Sequence, residues 1–201
     1  MAEKILTTRG IYMGGLDCGT GKLLLMRRIK TDSLLKGVSF RGNLELIGGA
    51  VMTSNEPRIP YYYYLGELDR LVRKKTGIVL DLGILPTGIP CLYTLPFKRE
   101  DKDTKTSYYD EASMVPVFLP SPEEMVSSIC ELIYVSPTEL LSLAKEFEPA
   151  NEKDSKSGKG LVSGYGNRMH CLCLAALTNS PNQGYVRQAE GMLREIMANW
   201  P

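Results

Sequence analysis

Between Tyr61 and Thr76 the chain sets Leu65, Leu68, Leu71 and Val72 at helical spacing, and Gly77 follows as a C-terminal stop. On both sides lie apolar runs too short to make helices, each bounded by glycine, proline or polar residues: Ile11 to Met13, Leu23 to Met26, Leu44 to Met52, Ile78 to Leu85 and Ile89 to Leu95. An amphipathic helix set among strand-length runs is expected to cover a sheet, which makes the class mixed α/β. Two further strand runs follow, Val115 to Leu119 and Ile129 to Val135. Ser136-Pro137-Thr138-Glu139 then reads as a helix start, with Ser136 as N-cap and Glu139 closing a capping box, and the helix is expected to reach about Phe147.

At 201 residues the chain is long enough for one generous core and short for two, and it contains no internal repeat. A single domain is expected, with a core over about 10–147, a mobile loop over about 148–164 and C-terminal helices over about 165–200. That loop is rich in charge, serine and glycine, whereas Met169 to Leu177 and Val186 to Trp200 read as helices packing back on the body. Gly15 to Gly21 reads as a turn joining two paired strands, 29–43 as a polar connection, and Thr53 to Pro60 and Pro120 to Pro122 as connectors. Lys98 to Ser113 is dense in charge without periodicity and reads as an exposed loop.

Apolar residues make up 43% and charged residues 23%, which excludes a disordered or coiled-coil chain. The formal net charge of +1 supplies no global field for a long nucleic acid or an anionic membrane, so an anionic ligand must be met by a local site. The first ten residues have no apolar h-region and no segment has the length of a membrane helix, so the expected location is cytoplasmic. Five scattered cysteines (Cys18, Cys91, Cys130, Cys171 and Cys173) make a disulfide framework a poor reading, and most of them read as small buried hydrophobes. His170, Cys171 and Cys173 fall short of the four ligands that a zinc site needs. Gly19-Thr20-Gly21-Lys22 is not a P-loop, since Leu16 and Leu23 stand where that motif requires glycine and a hydroxyl.

Four pieces in order resemble the Nudix family: Leu23 to Arg28, then Leu44-Glu45-Leu46-Ile47-Gly48-Gly49, then Thr76-Gly77-Ile78, then Glu131 to Leu140 with its Ser136-Pro137-Thr138-Glu139 turn. The resemblance covers roughly 10–145 and implies a Nudix-like α/β/α sandwich, a mixed sheet between helices, here with additional C-terminal helices. It also implies a cleft for a nucleotide or another phosphorylated ligand. In the family, box glutamates hold divalent metal against a pyrophosphate. Aligned on Gly77, this chain has Arg70 at the family's arginine, Leu71 at the next glutamate, and Lys74-Lys75 at the glutamate pair. Aligned on Gly49, Asn55 stands at the loop glutamate, and the spacing to Arg70 is seven residues too long. Lysines do not ligate Mg²⁺, so the box is degenerate.

The candidate ligand-binding residues are Arg70, Lys74, Gly48, Gly49, Tyr62 and Tyr64. Each also has a purely structural reading. Cations are favoured at a helix C-terminus, a glycine pair makes a bend, and tyrosines pack at half-buried sites as readily as they stack on a base. Glu100, Asp101, Asp103, Asp110 and Glu111 read as loop solubilisers. The one catalytic candidate is Glu131, because some Nudix proteins use a late carboxylate. No metal site and no cofactor are expected, with Mg²⁺ entering only under the alternative of a divergent Nudix pyrophosphohydrolase. The reading adopted is ligand binding in a sensory, regulatory or scaffolding role without standard Mg²⁺-dependent hydrolysis. A protein-interaction module with a vestigial cleft is the third alternative, and a homodimer stays open.

Overall fold

The computed structural model describes residues 4–29, 39–53, 61–79, 93–101, 106–119, 127, 129–148, 150, 157–162 and 168–199. In chain order the elements are β1 (Lys4–Asp17), β2 (Leu23–Arg27), β3 (Leu44–Glu45), β4 (Ile47–Thr53), α1 (Tyr61–Thr76), β5 (Tyr93–Asp101), β6 (Thr106–Leu119), β7 (Leu132–Val135), α2 (Pro137–Lys145), α3 (Arg168–Leu177) and α4 (Gln183–Ala198). The strands form one sheet in the order β3-β2-β1-β6-β5, with β4 beside β1 and β7 beside β2. β1 and β6 run parallel from Lys4↔Thr106 to Asp17↔Leu119, and the other pairings are antiparallel, so the sheet is mixed.

Strand alternation divides the apolar residues between two faces. Leu24 and Met26 of β2 join Ile11, Met13 and Val115 beneath Leu68, Leu71 and Val72 of α1. Leu23 and Leu25 point the other way, into a second core with Met114, Leu140 of α2, Ala189 of α4 and the whole run from Cys171 to Leu177 of α3. Helices therefore cover both faces of the sheet. The α1 stripe is the one its spacing predicts, and Gly77, at φ 76°, ends the helix. Ser136 caps α2 as expected: its Oγ accepts from the Glu139 amide at 3.3 Å, and the Glu139 carboxylate accepts from the Ser136 amide at 2.7 Å.

Three expectations are corrected. Lys98 to Ser113 is not a loop: 98–101 belong to β5 and 106–113 to β6. β5 stands at the sheet's edge, and edge strands carry charge because it deters pairing with other chains. Glu111, read as a solubiliser, is ion-paired to Arg9 at 3.1 Å. Second, β1 does not end at Gly14 but runs to Asp17, and the turn is confined to 18–20. A side chain at Gly14 would meet the Ala176 Cβ of α3 at 2.7 Å, so this glycine marks helix packing. Third, the break in the run from Leu44 to Met52 falls at Leu46, and Gly48-Gly49 lie inside β4.

The readings over 30–38, 54–60, 80–92 and 120–126 lie outside the described residues, as does Cys91. Of the expected mobile loop, 157–162 are fastened to the body. Lys159 exchanges backbone hydrogen bonds with Glu148, the Leu161 amide donates to the Leu143 carbonyl, and the Val162 amide donates to the Leu44 carbonyl. Among the described residues, no helix is long and apolar enough to cross a membrane.

Candidate functional site

The C-terminal end of α1 approaches the strand pair β2–β3, and their charged residues meet there. β3 pairs with β2 at Met26↔Glu45, which turns the Glu45 side chain toward the face covered by α1. Only 4% of that side chain is exposed, and a buried carboxylate requires cationic partners. Arg28 Nη1 donates to Glu45 Oε2 at 2.9 Å and Lys75 Nζ donates to Oε1 at 3.2 Å. Lys75 reaches this position because it lies one turn beyond Leu71 on the same side of the helix. Its ammonium is 3.9 Å from where a Cβ on Gly49 would stand.

Beside this triad lies a cavity of about 180 Å³, with Met26 and Leu71 as apolar walls and Arg28, Lys74 and Lys75 as cations. Ile29 and Ile129 flank it, 50% and 43% exposed. The same two isoleucines, with Arg28, border a neighbouring cavity of about 430 Å³ that also takes in Arg27, Arg41 and Glu131. Arg27 is committed: its Nε and Nη2 donate to the two Glu131 carboxylate oxygens at 2.6 and 3.3 Å, and its Nη1 donates to the Gly42 carbonyl at 2.7 Å. That hydrogen bond from Arg27 holds the Glu131 carboxyl below its ordinary range. Lys74 and Arg41 have no ion-pair partner among the described residues, so their charge faces solvent and the cavities.

The sequence candidates fall into separate places. Lys74 lines the inner cavity, and Gly49 lies beside Lys75 and Leu71. Gly48 serves the sheet instead, since a Cβ there would meet the Ile11 carbonyl oxygen and come within 2.6 Å of the Tyr12 Cα. Arg70 bonds Glu67 at 2.6 and 2.9 Å and is absent from the described lining of both cavities. Tyr62 and Tyr64 open α1, so Tyr62 lies about 18 Å along the helix axis from Lys74 at 1.5 Å per residue. Their side chains are outside the described residues. Glu131 sits in the outer cavity as the partner of Arg27, and its depressed pKa makes it a weaker base than a free glutamate.

Sequence reasoning passed over Glu45, Arg28, Arg41 and the two isoleucines. Glu45 did carry a signal: a carboxylate inside an apolar run has to be buried, and a buried carboxylate has to find a cation.

A Nudix metal site does not fit these residues. Among the described residues no cluster of three His, Cys, Asp or Glu side chains could hold an ion, and an ammonium already bonds the one buried carboxylate of the cleft. Elsewhere, Asp17 anchors the Gly19-Thr20 turn. Burial alone would raise its pKa, but bonds from the Thr20 hydroxyl and the Gly19 and Thr20 amides hold it below the usual range.

No family model matches the chain, and no curated protein matches its sequence. Solved structures to which it is similar include the E. coli dihydroneopterin triphosphate pyrophosphohydrolase, at 14% identity over 89% of this chain and 95% of that one, TM-score 0.47. A Nudix hydrolase from M. Smegmatis, RenU, matches at 14% identity over 97% of this chain and 87% of that one, TM-score 0.42. The Nudix domain of NrtR from Shewanella oneidensis, solved with ADP ribose, matches at 14% identity over 71% and 78%, TM-score 0.36. The four sequence landmarks stand in this structure as a strand running into Arg27 and Arg28, a glycine pair in β4, a helix closed by Thr76-Gly77, and a β7–α2 turn capped by Ser136. The chain folds as a mixed sheet between helices, with two further helices at its C-terminal end, which is the arrangement that the Nudix resemblance of the sequence implies.

Proposed function

We propose that the cleft binds a nucleotide or another small phosphorylated molecule, in a sensory, regulatory or scaffolding role, and that the chain does not carry out standard Mg²⁺-dependent hydrolysis. The observation that supports this is the described lining of the inner cavity, where the cations Arg28, Lys74 and Lys75 stand around the buried Glu45 carboxylate. Such a site favours an anion. Among the described residues it offers no carboxylate set to bind a metal and activate water for attack on a pyrophosphate. Arg41 extends the cationic lining outward, and Arg70 lies one turn before Lys74 on α1.

The test is a thermal-shift screen of mono- and diphosphate esters beside a pyrophosphatase assay of the same compounds with Mg²⁺ and Mn²⁺. At least one compound should raise the melting temperature, and none should be turned over. Arg41→Ala combined with Lys74→Ala should weaken that compound about tenfold or more, since hydrogen bonds to charged groups contribute about 1.5–3 kcal/mol each before screening. The fold should be undisturbed, because both side chains lie outside the apolar cores. Metal-dependent turnover of any compound would replace this reading with that of a divergent hydrolase.

A further inference from the structure

We infer that the phosphorylated ligand of this cleft carries an aliphatic chain, so that its class is an alkyl or branched-alkyl phosphate ester rather than a nucleotide. This rests on the phosphorylated-ligand reading and names the body of the molecule to which the phosphate belongs. Among the described residues, four large apolar side chains stand clearly exposed, Ile29, Val79, Ile129 and Met197, and two of these meet at the cleft. Ile29 and Ile129 come from segments far apart in the chain, yet each lines both the inner and the outer cavity. They form a rim that the two cavities share.

Hydrogen bonds hold the backbone beside both isoleucines. Ile29 follows Arg28, whose amide donates to the Asn43 carbonyl at 2.9 Å and whose carbonyl accepts from the Gly42 amide at 2.7 Å. The Ile129 amide donates to Ser127 Oγ at 3.1 Å, and two residues further on the Glu131 carbonyl accepts from the Arg27 amide at 2.9 Å. Single apolar side chains on a surface are ordinary, but two held at one cavity mouth, together with the buried Met26 and Leu71, make an aliphatic wall. The Lys74 ammonium lines the same inner cavity, so a ligand seated there meets a cation and aliphatic carbon within about 180 Å³. A phosphate group answers the first and a hydrocarbon chain the second. A base and ribose would bring polar edges against Ile29 and Ile129, whose side chains offer no hydrogen bond in place of water, whereas methylene groups lose nothing polar on entering. Each methylene taken out of water there should tighten binding by up to about fourfold.

Ethyl, butyl and hexyl phosphate are the probes, titrated by calorimetry at low ionic strength beside adenosine monophosphate, which carries the same kind of phosphate head. Hexyl phosphate should bind at least about tenfold more tightly than ethyl phosphate, and more tightly than the nucleotide. Ile29→Asn combined with Ile129→Asn should keep the melting temperature, because both side chains lie outside the apolar cores. The double variant should hold ethyl phosphate within about twofold of wild type and lose most of the gain from the longer chain, and each single substitution should lose part of it. Equal affinity for the three alkyl esters would overturn the aliphatic ligand while leaving the phosphorylated-ligand reading standing. Tighter binding of the nucleotide than of hexyl phosphate, or a chain-length gain that survives in the double variant, would do the same. No saturable binding of any of these compounds would overturn both.

Discussion

Three buried residues carry the sharpest consequences for stability and binding: Glu45, Gly48 and His170. Glu45 was hidden by its neighbours in sequence, since Leu44 and Leu46 read as strand residues and nothing local names Arg28 or Lys75 as partners 17 and 30 residues away. Gly48 was legible as a glycine that must be there for a reason, and the register Tyr12↔Gly48 supplies one in the close approach of strand β1. Gly48→Ala should therefore destabilise the protein by about 1–3 kcal/mol or more, because the new methyl group meets backbone rather than a side chain that can rotate away. A denaturant melt reads this as a lower midpoint. His170 is the chain's only histidine; it is buried in α3, and its Nε2 has no hydrogen-bond partner among the described residues. Burial lowers its pKa below the ordinary 6.5, so the unfolded chain takes up the proton first. Stability should be full above that value and decline as the pH falls beneath it. His170→Leu should flatten the slope between about pH 7.5 and pH 5.5, measured as denaturant midpoints, and an unchanged slope would show that another group titrates there.

Helices α1 and α2 form where local chemistry alone calls for them. Leu68, Leu71 and Val72 give α1 its buried stripe, and Ser136, Pro137 and Glu139 fix the first turn of α2 with no help from elsewhere in the fold. Ser136→Ala removes one half of the capping box and should cost about 0.5–2 kcal/mol, seen as a lower denaturant midpoint with an unchanged slope. The second half of β5 and the first half of β6 behave in the opposite way. Their charged, aperiodic residues contain no strand pattern, yet Tyr93–Asp101 and Thr106–Leu119 pair along their length. Backbone pairing with a distant partner, β1, builds β6, and backbone groups carry no side-chain signature in the sequence. The same contrast divides the site. A lysine pair before Gly77 is visible in the sequence as charge at a helix end, whereas the side each lysine faces depends on what α1 packs against.

Over the molecule as a whole, α3 is the keystone of the second core. Every residue from Met169 to Leu177 is buried, and the helix packs against β1, β2, β5, β6, α2 and α4. Burial pushes the Cys171 thiol up to about 11 and the Cys173 thiol well above its ordinary value, so both remain protonated and behave as apolar side chains. The C-terminal helices are thus structural partners of the sheet. Ending the chain before residue 165 would strip one face of the sheet of its cover. The shortened chain is expected to lose its cooperative unfolding transition, and a retained sharp melt would show that the remaining body holds together without α3.

Periodicity and capping, which act over a few residues, told from the sequence that the chain is α/β and that α1, α2 and two C-terminal helices exist, while the lysines at the box position are what the Nudix resemblance implies. Strand pairing and the meeting of charges act between residues far apart in the chain, and these only the tertiary structure decided. It assigned Gly48 to the sheet and Arg70 to Glu67. It brought Lys75 to the buried Glu45 and left Lys74 facing the cavity. The physical reason is that a buried carboxylate takes whichever cations the packing of β2, β3 and α1 brings within about 3 Å, and that distance is a property of the packed elements rather than of any one of them.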